Sequence, residues 1–288
     1  MIHGCFACQG TPGVLNDAEK CTEIVRSQIG DARIDVGLVL GAGLTVIADQ
    51  VTQAIVIPYD QLPGFSHPPS EQQPALVIGL LGTARVVLFR GRANYNDTGD
   101  INAMRVPLEL LSLLGAKCVV LTSAAGSVRT DINPGTIVTI TDHINLTGLN
   151  PLIGENGRDR FVDMSGAYDR HLQERFTIAS GQLGRKIHEA VYMWLPGPSF
   201  ETAAEIRAAQ VLGAHVVGMA IVPETILARR FGLRVLALGM VTNLAAGLRT
   251  EVLTQETRMR AGTAAASSMA RVLSKFFEIW QVESRVLR

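Results

Sequence analysis

Short apolar runs that close on small-residue turns alternate with helix-length segments along almost the whole chain, and no other feature restricts the fold as tightly. Val36 to Leu40 ends in Gly41-Ala42-Gly43, and Lys117 to Thr122 is followed by Ser123-Ala124-Ala125-Gly126. Runs of this length bounded by turn residues read as buried strands. Ala75 to Gly79 and Ala84 to Phe89, parted by Leu81-Gly82-Thr83, make a hairpin candidate. Thr136 to Thr141, Glu189 to Leu195, Val216 to Met219 and Arg234 to Thr242 supply further strands. Helices are expected at Asp17 to Ile29, Asn102 to Leu114, Tyr168 to Gly184, Glu201 to Leu212, Pro223 to Phe231 and about Thr254 to Glu283. Gln61 to Pro74 and Leu149 to Gly166 read as loops, and long loops in compact domains are often functional. The alternation predicts one α/β domain over residues 1–288 with a central, largely parallel sheet, entered through an irregular segment and helix at residues 1–30.

Charge narrows the function. The 26 basic and 26 acidic side chains cancel, which argues against a nucleic-acid or membrane-surface binder, since neither attraction has a source. No apolar run reaches the length of a membrane span, and the N-terminus shows no export signal, so a cytoplasmic location is expected. Of the four cysteines, Cys118 sits in an apolar run and reads as a core thiol. Cys5 and Cys8 form a C-x-x-C near His3, but no second ligand pair follows at a suitable spacing, so no metal site is expected.

Ligands of α/β sheets gather at the carboxyl ends of strands. Four such ends here carry small or polar residues: Gly41-Ala42-Gly43, Gly91-Arg92-Ala93-Asn94, Ser123-Ala124-Ala125-Gly126 and Thr242-Asn243. Small residues let backbone N–H groups approach an anion closely. The first is not a Walker loop, because no Gly-Lys-Ser/Thr follows. In Pro196-Gly197-Pro198-Ser199-Phe200-Glu201-Thr202 two prolines fix the backbone ahead of a helix. By pattern alone, Phe200 reads as core and Glu201 as a first-turn carboxylate favoured by the helix dipole.

Taken together, these segments resemble the trimeric branch of the purine nucleoside phosphorylases over about residues 35 to 262. The likeness rests on Leu40 to Leu44, Gly91-Arg92, Leu121 to Gly126, Thr141 to Leu146 and Met164 to Asp169. Most specific are Gly197-Pro198-Ser199-Phe200-Glu201-Thr202, Val217-Gly218-Met219-Ala220-Ile221-Val222-Pro223-Glu224 and Val241-Thr242-Asn243. The resemblance implies the nucleoside phosphorylase fold, a single α/β domain with a twisted mixed central β-sheet flanked by helices, assembled as a homotrimer. It implies a pentosyltransferase that cleaves purine nucleosides with phosphate, without metal or organic cofactor. Phe200 would pack on the base, Glu201 would accept from ring N–H groups, and Asn243 would bind the N7/O6 edge. Val217, Thr242, Ala125 and Gly126 would line that pocket. Met219, Tyr95, Asn96, Gln255 and a neighbouring subunit's copy of Phe161 would surround the ribose. Ala42, Gln72, Arg92, Asn94, Ala124 and Ala220 would surround phosphate. Asn243, Glu201 and Arg92 are the expected catalytic groups. An amide at 243 suits 6-oxopurines, since it can donate to N7 as the leaving base gains negative charge.

The second half of the pocket departs from the family. Where the family carries serines stand Ala42 and Ala220; its histidines fall at Gln72, Asn94 and Gln255, and its ribose tyrosine at Asn96. Losses gathered around one ligand keep two alternatives open: a nucleosidase or glycosyl-transfer variant with another nucleophile, and a non-catalytic purine-binding paralogue. By pattern His143 reads as a structural hydrogen-bonding residue, and Glu224 as a brace for the base loop or a helix cap.

Overall fold

The computed structural model describes residues 15–41, 43–68, 73–248 and 255–280. Its strands are β1 (Val36–Val39), β2 (Thr52–Pro58), β3 (Ala75–Leu81), β4 (Ala84–Arg90), β5 (Cys118–Ser127), β6 (Ile137–Asn145), β7 (His188–Trp194), β8 (Val216–Gly218) and β9 (Arg234–Leu244). The helices are α1 (Asp17–Ile29), α2 (Tyr95–Thr98), α3 (Arg105–Leu113), α4 (Arg170–Gln182), α5 (Ala203–Val211), α6 (Val222–Arg230) and α7 (Gln255–Glu278). The N-terminal Cys5 and Cys8 lie outside the described residues.

One sheet runs β2-β3-β4-β1-β5-β8-β7-β6-β9, and β9 returns to pair with β5. The strands β5, β8, β7, β6 and β9 therefore close on themselves, while β2, β3, β4 and β1 extend from β5 as an open wing. The sheet is mixed, as the resemblance implies, rather than largely parallel, as the alternation alone suggests. Strands β1–β4, β1–β5, β5–β9, β6–β7 and β7–β8 are parallel, whereas β2–β3, β3–β4, β5–β8 and β6–β9 are antiparallel. The two-residue turn at Gly82-Thr83 leaves no room for a crossover, so β4 must fold back on β3. Gly82 (φ 57°) lies against the Phe277 backbone of α7, where a Cβ would come within 2.5 Å.

Alternation along the strands divides the interior into two cores. Val119 and Leu121 of β5 and Val235 and Ala237 of β9 face the layer of α1, α3 and α6. Cys118, Val120, Leu236 and Leu238 face α4 and α7. The period of two sends neighbours to opposite faces, which both helix layers then cover. Helix α7 meets its layer with Ala265, Ala266, Met269, Val272, Leu273, Phe276 and Phe277, an apolar stripe at three- and four-residue spacing. Helix α3 packs so closely that a Cβ on Gly37 of β1 would lie 2.2 Å from Leu111.

Three boundaries differ from the sequence expectation in ways that matter for function. Ser123 to Gly126 is the continuation of β5, not a turn after it, because β9 pairs with the strand as far as Ser127. Strand β6 likewise runs through Asp142-His143-Ile144-Asn145, held by β7. Helix α5 starts at Ala203, with Thr202 as N-cap and Glu205 completing its capping box, so Glu201 precedes the helix rather than standing in its first turn. The sequence expectation omits strand β2, although Ala54-Ile55-Val56-Ile57 is an apolar run rich in β-branched residues; only Ile57 of it is buried. Helix α2 is a single turn.

Candidate active site

The site forms where β5 ends. The β5–β9 register shifts between Ala125 and Gly126, and at that bulge Gly126 faces Asn243 of β9 and Val217 of β8. A Cβ on Gly126 would sit 3.4 Å from both the Asn243 Nδ2 and a Val217 methyl, so glycine brings the three chains together. Bulges re-aim side chains in this way. The Asn243 carboxamide is held from both sides: Thr242 Oγ1 donates to its Oδ1 at 2.9 Å, and its Nδ2 donates to the Leu244 carbonyl at 3.0 Å. Each end retains capacity for a second bond.

Glu201 is half-buried in the segment after the cis Gly197-Pro198 bond. Burial pushes its carboxyl above the ordinary range, a backbone hydrogen bond partly offsets this, and Glu205 adds to the rise. Phe200, beside it, is 63% exposed, which contradicts its reading as core and leaves a ring face on the surface. The start of α5 meets the β9 tail, since a Cβ on Gly247 would lie 2.9 Å from that of Ala203.

Met219 follows β8. Its sulfur accepts a weak hydrogen bond from Asn96 Nδ2 at 3.8 Å and lies against Gly197. Tyr95 packs edge-on against Trp194, 6.1 Å between centroids. Beyond Met219 the chain makes a tight turn. Ile221 has φ 72° and ψ −51°, and Val222 N–H donates to the Ala220 carbonyl at 2.9 Å. Such a γ-turn on a β-branched residue is strained, by about 1–3 kcal/mol. It places Ala220 N–H on the Tyr192 hydroxyl at 3.2 Å and starts α6 with Pro223 and Glu224. Tyr192 is wholly buried, and no sequence pattern marked it.

Arg92 is buried, and its Nε lies 3.0 Å from Glu224 Oε1 with both side chains 5% exposed. The contact is an ion pair without hydrogen-bond alignment, and Arg92 Nη2 also has no hydrogen-bond partner among the described residues. Glu224, read by pattern as a brace for the base loop or a helix cap, stands in the first turn of α6 and meets an arginine. Two expected phosphate contacts are otherwise engaged. Asn94 Nδ2 donates to Asp97 Oδ2 at 3.3 Å, and the Ala220 N–H is taken by Tyr192. Ala124 is exposed on β5 between buried neighbours. Ala42 and Gln72 lie outside the described residues, as does the side chain of Gln255 at the start of α7.

Phe161 is 76% exposed, in the loop between β6 and α4, with the Arg160 guanidinium 4.9 Å from its ring centroid. Glu155 ties that loop down by pairing with Arg105 of α3 and Arg230 of α6, and Arg230 also holds Asp159. His143 Nδ1 meets the Tyr168 hydroxyl at 2.9 Å, the structural role its sequence position suggested. Cys118 is a core thiol, pushed up to about 12 by burial. An open groove of about 380 Å³ lined by Val128, Arg129, Asp131, Gln210 and His215 shares no residue with the site, and its Arg129 is already paired with Asp131.

Comparison with known proteins identifies the family and the fold. Residues 35–278 match the model of the phosphorylase superfamily. The chain is 40% identical over 225 residues to purine nucleoside phosphorylase 1 of Geobacillus stearothermophilus, covering 77% of this chain and 82% of that protein. It is 38% identical over 259 residues to the purine nucleoside phosphorylase of Mycobacterium tuberculosis, covering 89% and 94%. The crystal structure of Schistosoma mansoni purine nucleoside phosphorylase in complex with inosine is similar with a TM-score of 0.83 at 29% identity, covering 91% of this chain and 95% of that one. The schistosomal enzyme bound to hypoxanthine gives 0.83 at 30% identity, covering 91% and 96%.

Proposed function

The chain belongs to the phosphorylase superfamily and, within it, to the purine nucleoside phosphorylases, and on that premise we propose that it cleaves 6-oxopurine nucleosides with phosphate, giving free base and ribose 1-phosphate. The observation that carries the reading is the Asn243 carboxamide, fixed by Thr242 and Leu244 at the junction of β5, β8 and β9. A phosphate oxygen attacks C1′ of the ribose while the C–N bond breaks and its electron pair passes to the purine. An N–H donor already aimed at N7 stabilises that charge without reorganising. In this reading Glu201 accepts from the ring N–H groups, and Phe200 covers the base that Val217, Thr242, Ala125 and Gly126 enclose. Met219, Tyr95, Asn96 and Gln255 surround the ribose. Arg92 binds the anion, with Ala42, Gln72, Asn94, Ala124 and Ala220 forming the walls. The chain acts as a homotrimer of single-domain subunits in the cytoplasm, and exposed Phe161 completes a neighbour's ribose pocket.

A second reading has its own support. Asn94 gives one Nδ2 hydrogen to Asp97 and the Ala220 N–H goes to Tyr192, so among the described residues few donors besides Arg92 and the second Asn94 hydrogen remain for phosphate. Water or another acceptor would then receive the pentose, or the protein would bind purine without turnover. Incubating inosine and guanosine with and without phosphate separates these readings. Release of base with ribose 1-phosphate, and only with phosphate present, is expected. Equal turnover without phosphate, or tight base binding with no turnover, would overturn it.

A further inference from the structure

The described anion pocket depends on one guanidinium, and that guanidinium is held at one end. A guanidinium presents its N–H groups as a rigid planar fork, so fixing one edge fixes the direction of the other. Glu224 sits at the third position of α6, 3.0 Å from Arg92 Nε. Its carboxylate is favoured there by the helix dipole. Burying both charges is tolerable because they neutralise one another. Nε and Nη2, which share the side edge of the fork, are both buried and without an aligned hydrogen-bond partner among the described residues, Glu224 meeting Nε by charge alone; Nη2 also reaches the Nη1/Nη2 end, and an orphaned charged donor there needs an explanation. An oxyanion supplies one.

We propose that Glu224 is a positioning residue for phosphorolysis: its charge anchors Arg92 from the Nε side and thereby aims the Nη1/Nη2 end at the incoming phosphate. The proposal rests on the reading of Arg92 as the phosphate ligand. It gains weight from what this chain lacks. With alanine at 220, and Asn94 turned to Asp97, little else described can correct a misdirected guanidinium. The strained turn at Ile221 and the proline at 223 have a purpose in the same scheme, since they set the position from which α6 presents Glu224.

The test compares Glu224→Gln and Glu224→Asp with Arg92→Ala, measuring KM for phosphate, KM for inosine and hypoxanthine affinity by titration. Glu224→Gln keeps the size of the side chain but removes its charge, and should raise KM for phosphate about tenfold or more, the worth of one charged contact. KM for inosine and hypoxanthine affinity should change by less than about twofold, a split that general loss of structure would not produce. Glu224→Asp retains the charge and should fall between Gln and the unaltered protein. An unchanged phosphate KM in Glu224→Gln, with Arg92→Ala strongly impaired, would overturn the positioning role alone. An unchanged phosphate KM in Arg92→Ala would overturn the reading beneath it as well. A crystal structure of the unaltered protein with phosphate provides a check that needs no variant. The anion should contact the Nη groups with Glu224 still on Nε; an anion on the Nε edge with Glu224 displaced would refute the proposal.

Discussion

Replacing Gly218 by alanine tests the link between packing and the site. Gly218 ends β8, between Val217 and Met219, which the proposed function puts at the base and at the ribose. A Cβ there would lie 2.2 Å from the Tyr192 hydroxyl oxygen, 2.9 Å from its Cζ and 3.2 Å from the Ala124 carbonyl oxygen. Contact distance for a carbon is about 3.5 Å, so more than an ångström of movement is required. Tyr192 cannot easily yield, because it is wholly buried and its hydroxyl accepts from Ala220 N–H. The carbonyl belongs to β5, the strand shared by both parts of the sheet. Strand β8 must therefore move outward and carry Val217 and Met219 with it. Overpacking of this kind costs about 1–3 kcal/mol, a fall in Tm of roughly 2–5 °C at this chain length. The control is Gly181→Ala in α4, where nothing lies within 4 Å and φ is ordinary. The same methyl should there stabilise by about 0.5–1 kcal/mol, through the entropy of the unfolded chain. Thermal unfolding and the KM for inosine read the outcome. If Gly218→Ala melts with the unaltered protein and binds nucleoside equally well, or if both variants lose stability alike, the steric argument is wrong.

Other expectations follow from the same geometry. Asn243→Ala should lower kcat on inosine about 10²- to 10³-fold, and a smaller loss would remove it from leaving-group stabilisation. Burial raises the Glu201 carboxyl, so hypoxanthine affinity should begin to fall on acidification at a higher pH than an ordinary carboxylate would give, and the Glu201→Gln variant should lose that pH dependence. A folded-state value above the unfolded one also means that this group's contribution to stability declines as pH rises between the two, which chemical denaturation across pH can detect. Glu155 has the opposite sign: burial pushes it up, but the hydrogen bond from Arg230 and the ion pair with Arg105 more than offset this and hold it below the usual range. Its contribution is present at neutral pH and lost as pH falls through the lowered value. Glu155→Gln should therefore cost about 1–2 kcal/mol at neutral pH, discounted for partial exposure, and little in acid; equal losses at both would contradict the assignment.

Much of the fold was legible because hydrophobic period and turn chemistry are local. Helix α1 appears from Asp17 to Ile29 as its pattern predicts, capped by Asn16 and Glu19 and closed by Gly30. The β3–β4 hairpin follows from a Gly-containing two-residue turn. The small residues at the end of β5 were legible as places of close approach by a ligand or anion; at Gly126 it is Asn243 and Val217 that come close. The family's motifs, in order, led to Phe200, Glu201 and Asn243.

Tertiary structure alone decided the rest. Whether β5 stopped at Thr122 or ran to Ser127 depended on β9, a partner more than a hundred residues away that supplies the hydrogen bonds for the extra turn-like residues. The same non-local pairing closes β9 onto β5 and makes the bulge that presents Asn243. Glu224 looked like a helix cap because its neighbours in sequence, Pro223 and Thr225, say nothing of Arg92, which arrives from another part of the chain. Tyr192 looked like one more apolar strand residue until the Ala220 turn brought an N–H to its hydroxyl. Periodicity records which face of an element is dry. Which polar groups meet inside that dry space is set by the crossing of distant segments, and a linear pattern carries no term for it.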